Sequence, residues 1–267
     1  MNRRWRALDH KFGDLVVALA QRDAPPRGAA TSPTIAVVIP AYNEADSIVG
    51  VLNELPTTLA GMRVEPIVVV DGGDDATAAV ARAAGFCTLV HSVNRGQGDA
   101  IRTGFGYALD LGAEIVMTMD ADGQHRPDQM IDLVTPIVED GADYVQGSRF
   151  LGEYDDAGGA RDIGIRGFTT LINLVSGAGI TDCTNGFRAI RAKSLASMHL
   201  TESRFSAPEI LIEAAAAGLR IREVPVHIRS RSHGESKKPR RLGYPLGFLG
   251  VVLRTTQRTR AAARSRG

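Results

Sequence analysis

The stretch Thr34-Ile-Ala-Val-Val-Ile-Pro-Ala-Tyr-Asn-Glu44 decides the fold class. Its first seven residues, Thr34–Pro40, form a short, continuous apolar run rich in β-branched side chains. A strand with one wet face alternates polar and apolar residues. A run without alternation marks a strand buried on both faces, as in parallel sheets. Similar runs recur at Pro66–Val70, Cys87–His91, Glu114–Met119 and Tyr144–Gln146. Helical patterns lie between them at Ala45–Leu59, Ala76–Ala84, Gly98–Leu111 and Pro127–Glu139. This alternation predicts an α/β fold: a Rossmann-like, mostly parallel sheet with helices on both faces.

Ligands of such sheets bind beyond the carboxyl ends of the strands. Four polar clusters stand there: Pro40-Ala-Tyr-Asn-Glu44, Asp71-Gly-Gly-Asp-Asp75, Asn94-Arg-Gly-Gln-Gly-Asp99 and Asp120-Ala-Asp-Gly-Gln-His125. Asn, Asp and Gly are turn residues in their own right, so one cluster says little. Four directed at one edge predict a site. A dinucleotide site is weakly supported, because Gly96-Gln-Gly98 opens the glycine fingerprint but Ile101 stands at its third position. In Asp120-Ala-Asp122, carboxylates two residues apart at a strand end make a hard oxygen site. It suits Mg²⁺ or Mn²⁺ beside a diphosphate, with Gln124 as a further neutral oxygen.

The chain has 267 residues, 44% of them apolar and 23% charged, enough for a sizeable core. That excludes a disordered chain, and two cysteines, Cys87 and Cys183, exclude a disulfide scaffold or a cysteine-rich zinc site. Reduced thiols and a cytoplasmic location are expected. The run Leu15–Ala20 is too short for a signal peptide, and no stretch approaches the ~20 apolar residues of a membrane span. Residues 237–267 hold nine of the 31 lysines and arginines and none of the 30 acids, leaving the rest of the chain at −8 against a net +1. A basic segment that also carries the apolar run Tyr244–Leu253 points to an anionic lipid surface. Nucleic acid is not expected, since it would leave the acidic clusters unexplained.

Seven motifs carry a resemblance to a known family: Val38-Ile-Pro-Ala-Tyr-Asn-Glu44, Val70-Asp71, Asn94-Arg-Gly-x-Gly98, Met119-Asp-Ala-Asp-Gly-Gln124, Gly147-Ser-Arg-Phe150, Asp182-Cys-Thr-Asn-Gly-Phe-Arg188 and Arg231-Ser-His-Gly-Glu-Ser-Lys237. From about Thr34 to Pro239 the chain resembles the family 2 glycosyltransferases of GT-A fold, and within them the polyprenyl- and dolichyl-phosphate sugar synthases. The resemblance implies an inverting transfer of one sugar from a nucleotide-sugar to a polyprenyl phosphate, with Mg²⁺ or Mn²⁺. It implies donor contacts from Pro40, Tyr42, Glu44, Asp71 and Asp120, and from Arg231, Ser236 and Lys237 on a closing loop. Asp120, Asp122 and Gln124 would hold the metal. Arg149 would receive the acceptor phosphate with Arg161 beside it, and Asp122 and Arg149 are the residues assigned to catalysis.

The sequence departs from the family in two places. The Asp71–Asp75 turn is one residue short, and Gln97 stands where lysine is frequent. The Gln-x-x-Arg-Trp motif of processive synthases is absent. The sugar and nucleobase, among GDP-mannose, UDP-glucose and UDP-GlcNAc types, stay open. So do a soluble acceptor, which would recruit a carboxylate base such as Glu209, and a non-catalytic membrane scaffold. The domain plan is an N-terminal helix and linker (1–33), a catalytic domain (34–236) and a basic, apolar segment (237–267) peripheral to the inner membrane face.

Overall fold

The computed structural model describes residues 33–153, 155, 159–230 and 243–265, with backbone alone at 160, 161, 243 and 244. The expected N-terminal helix and all but the last residue of its linker lie outside the described residues, as do Arg231, His233, Ser236 and Lys237.

One mixed sheet organises the chain. Its strands are β1 (Thr34–Ala41), β2 (Thr58–Leu59), β3 (Met62–Asp71), β4 (Cys87–His91), β5 (Ile115–Thr118), β6 (Tyr144–Ser148), β7 (Arg188–Arg191) and β8 (Ile221–Pro225). Across the sheet the order is β4-β3-β1-β5-β7-β6-β8, and β2 pairs with the start of β3. Pairings β1–β3, β1–β5, β3–β4 and β6–β8 are parallel, while β7 runs antiparallel to both β5 and β6. So β1, β3, β4, β5, β6 and β8 all end at one edge, and the chain enters β7 from that same edge.

Strand β1 explains its own sequence. Ile35, Val37 and Ile39 enter a core layer with α1 (Ile48–Asn53), α2 (Thr77–Ala83) and α4 (Met130–Val138). Ala36 and Val38 enter the opposite layer with α3 (Gln97–Asp110), α5 (Ala160–Ser176), α7 (Ser206–Ala216) and α8 (Gly243–Arg264). A short α6 (Ala192–Leu195) follows β7.

Three features differ from the sequence reading. The helix expected over Ala45–Leu59 is confined to Ile48–Asn53. Pro56 cannot donate a helical hydrogen bond and disfavours helix at the residue before it. The chain then turns through Ala60 and Gly61, both with positive φ, into a tight hairpin with Leu59 opposite Met62. Second, β3 starts at Met62 rather than Pro66. Pro66 is tolerated because it falls between the β2 and β4 pairings, where β3 has a neighbour only in β1. Third, β7 and β8 were not expected as strands.

Helix α8, within the segment set apart in sequence as 237–267, packs into the core. Phe248, Val251 and Val252 are buried, and Phe248 stacks on Phe168 of α5 at 4.2 Å between ring centres. Arg258 bonds Glu209 and Glu213 of α7, and Arg254 forms a two-pronged pair with Glu202. Leu246, Leu249 and Leu253, spaced on one side of the helix, remain exposed. Among the described residues no helix is long and apolar enough to cross a membrane.

Candidate active site

The loops at the shared edge are tied to one another by their own polar side chains. After β1, Asn43 takes a left-handed conformation and exchanges hydrogen bonds with Asp74, its Nδ2 donating at 2.8 Å. The Glu44 N–H donates to Thr77 Oγ1 and the Ala45 N–H to Asp75. The short Asp71–Asp75 turn therefore braces the loop carrying Pro40, Tyr42 and Glu44, and Tyr42 stays exposed there.

Asp71 is buried under the next loop. It accepts His91 Nδ1–H at 2.7 Å and the N–H groups of Arg95 and Gly96 at 2.9 and 2.7 Å. His91 Nε2 lies 3.0 Å from Thr103 Oγ1. Burial alone would raise the Asp71 pKa, but His91 and the two amides outweigh it and hold the carboxyl below its ordinary value. A depressed carboxyl pKa adds stability above the unfolded value, near 3.9, which is lost as pH falls through the folded value. Urea midpoints are therefore expected to be unaffected by Asp71 between pH 7 and about 4, and to drop below that. Asp71→Asn should remove part of the acid drop; an unchanged acid limb contradicts the assignment.

The Asp120-Ala-Asp122 loop follows β5. Asp122 is buried and accepts the Gln124 N–H at 3.1 Å. Asp120 rests on the bare Cα of Gly186, where a Cβ would stand 2.8 and 3.0 Å from its two oxygens. Gln97 Nε2 approaches Asp120 at 3.3 Å, so the glutamine at the frequent lysine position reaches this carboxylate. Gln124 donates its amide NH₂ to the Arg229 carbonyl at 3.0 Å, so the atom its side chain could offer a cation is the amide oxygen. Among the described residues no three His, Cys, Asp or Glu side chains gather as a closed metal cage. Two carboxylates and an amide oxygen fit a hard divalent ion that takes its remaining ligands from substrate phosphates and water.

Arg149 follows β6 at the same edge. It is buried rather than part of a surface ion pair: Nε donates to Asp182 at 2.6 Å and Nη2 to Thr184 Oγ1 at 3.2 Å. Asp182 is itself fully buried and receives its main-chain support from Glu223 of β8. Arg161 lies in the first turn of α5, described as backbone only.

One candidate acid, Glu209, and the motif cysteine Cys183 are both held in the interior. Glu209 is buried, accepting the N–H groups of Thr201 and Glu202 and the Arg258 guanidinium, so it fastens α8. Burial pushes the Cys183 thiol up to about 11, an unreactive packing residue. The sequence reading missed Asp182 and Asn185, although both stand inside a quoted motif.

Residues 36–198 match the family described as glycosyl transferase family 2. The chain belongs to that family. An undecaprenyl-phosphate mannosyltransferase of Micrococcus luteus is 32% identical to this family 2 glycosyltransferase over 249 residues, covering 87% of this chain and 96% of that one. A UDP-N-acetylglucosamine–dolichyl-phosphate N-acetylglucosaminyltransferase of Methanococcus voltae is 32% identical over 215 residues, covering 72% and 84%. The GT-A fold is shared with glucosyl-3-phosphoglycerate synthase of Mycobacterium tuberculosis, solved with Mn²⁺, UDP and glucosyl-3-phosphoglycerate. That likeness has a TM-score of 0.65 at 20% identity and covers 86% of this glycosyltransferase and 80% of that chain. It is a likeness of fold.

Proposed function

We propose that this glycosyltransferase moves one sugar, with inversion, from a nucleotide-sugar to a polyprenyl phosphate. The observation that carries the reading is the placement of the Asp120/Asp122 carboxylates after β5 and the buried Arg149 after β6. Both stand at one sheet edge, with β7 alone between their strands. The names of the relatives from Micrococcus luteus and Methanococcus voltae support a lipid-phosphate acceptor.

The chemistry is consistent with that division. A phosphate monoester has its second pKa near 6 and is largely dianionic at pH 7. It attacks the anomeric carbon without a strong base. It needs fixed positive charge to place it, and a guanidinium held by Asp182 supplies that geometry. Glu209, the acid a hydroxyl acceptor would have recruited, is committed to α8. On the donor side, Pro40, Tyr42 and Glu44 line the nucleoside loop. Asp71 acts there by shaping the Arg95–Gly96 main chain. Asp120, Asp122 and Gln124 would hold Mg²⁺ or Mn²⁺, which when bound neutralises charge on the departing nucleoside diphosphate. Arg231, Ser236 and Lys237 would close over the phosphates, and Arg161 would join Arg149. The exposed leucine row of α8, with the exposed Arg260 further along the helix, would rest on an anionic inner membrane surface, making the protein peripheral and cytoplasmic.

The test offers GDP-mannose, UDP-glucose and UDP-GlcNAc with Mn²⁺ to the purified protein, with either polyprenyl phosphate in anionic vesicles or soluble phosphate and hydroxyl acceptors. Labelled sugar is expected in the organic-extractable lipid for one donor, with salt-sensitive co-sedimentation of the protein. Transfer only to soluble acceptors overturns the lipid reading.

A further inference from the structure

The Asp120 and Arg149 loops are joined through two side chains, His125 at the end of the Asp120 loop and Asn185 beside the residues that hold Arg149. The His125 imidazole folds back on its own loop, and the Asp120 N–H donates to Nδ1 at 3.1 Å. A main-chain N–H can only donate, so Nδ1 is the acceptor and the neutral ring carries its proton on Nε2. Nε2 lies 3.1 Å from Asn185 Oδ1. The same oxygen accepts the Phe187 N–H at 3.0 Å, which fixes the orientation of the amide. Phe187 stacks on the imidazole at 5.0 Å with 14° between planes, and both His125 and Asn185 are buried. Asn185 directly follows Thr184, which with Asp182 holds Arg149. A continuous run of contacts thus leads from Asp120 through His125 and Asn185 to Arg149.

We infer that His125 and Asn185 are positioning residues, fixing the main chain of Asp120, and with it the Asp120/Asp122 pair, relative to the acceptor arginine. Both ring nitrogens are already committed, so His125 acts through Asp120 and not as a metal ligand. Groups of this kind, which orient ligating side chains, change metal affinity or activity by about 10–100-fold when removed. A buried histidine with satisfied nitrogens is often packing alone. Here its hydrogen-bond partners are the main chain of one site residue and the loop that holds another. The inference rests on reading Asp120 and Asp122 as the cation and diphosphate site.

Two substitutions in the full-length protein separate the bonds. In His125→Asn the shorter amide can still accept the Asp120 N–H but cannot reach Asn185. In His125→Gln the longer amide can donate to Asn185 but gives up Asp120. The first readout needs no metal. The Asp120 amide is expected to exchange with solvent faster in His125→Gln than in wild type or His125→Asn, and ¹⁵N shifts of the wild-type ring should report the Nε2–H tautomer. The second readout is calorimetric Mn²⁺ binding in the presence of UDP or GDP. His125→Gln should weaken it about 10–100-fold, with His125→Asn, which loses the same ring stacking on Phe187, recovering most of the loss. If His125→Gln does not fold, Asn185→Ala, which releases the ring without altering it, is expected to weaken Mn²⁺ binding about tenfold. Wild-type Mn²⁺ affinity retained in His125→Gln, or in Asn185→Ala where that variant replaces it, overturns the inference alone. A wild-type protein that binds no Mn²⁺ with either nucleotide overturns the reading of the site, and the inference with it.

Discussion

Asp122→Asn is expected to lower sugar transfer by at least about 10³-fold while the protein keeps its fold. The amide preserves the hydrogen-bond acceptor that Asp122 offers to the Gln124 N–H, so the loop is retained. What is lost is one of the two formal negative charges that would hold the proposed divalent ion beside a diphosphate. Losing a single preorganised electrostatic group at a reacting centre lowers turnover about 10²–10³-fold, and losing a metal carboxylate adds weaker metal binding to that. Release of nucleoside diphosphate, followed with and without Mn²⁺, measures the effect. A variant that turns over at the wild-type rate in excess EDTA removes the carboxylate pair from the reaction.

Arg149→Ala should affect two separate measurements. Asp182 has no exposed surface, and Arg149 also bonds Thr184 on the same loop. Breaking a buried pair from one side leaves an uncompensated charge, at a cost of about 3–5 kcal/mol in unfolding free energy. Urea unfolding should report that loss. Arg149→Lys keeps a cation for Asp182 but loses the planar fork. It is expected to keep most of the stability and raise the acceptor KM at least about tenfold. Calorimetric affinity for the donor nucleotide should be nearly unchanged in Arg149→Lys. Lost donor affinity with unaltered acceptor kinetics assigns Arg149 to the donor side.

The sequence made the β4-β3-β1-β5 half of the sheet legible because its strands are largely buried on both faces. The runs at β1, β4 and β5 were visible as apolar stretches, and the polar clusters after β1, β3, β4 and β5 meet at the predicted edge. The other half was hidden. Strand β7 reads Arg-Ala-Ile-Arg, and its charges find partners that only the fold supplies: the Asn185 carbonyl for Arg188, the Ile137 carbonyl for Arg191. Strand β8, Ile-Arg-Glu-Val-Pro, hides Glu223 in the same way, as the brace for residues 181 and 182. The Arg149–Asp182 pair spans 33 residues, so no local spacing rule reveals it. The apolar run of α8 was read as interfacial; its leucines stay exposed, but the docking of its other face was not legible, because a sequence does not display Phe168, the ring that awaits Phe248.

That docked helix also sets the order in which the molecule can be completed during synthesis. The layer containing Phe105, Ile172 and Ile212 is closed by Phe248 and Val252, which follow every other described element along the chain. Strand β1 meets β5 some eighty residues later, and β5 must wait about seventy more for β7 to fill the place beside it. Pairings so distant in sequence slow folding, and exposed apolar surface promotes aggregation while they form. A nascent chain that has made both halves of the sheet still carries an open apolar face until α8 arrives. Chains interrupted between β8 and α8 should therefore be captured by chaperones or degraded, rather than persist as shortened enzymes.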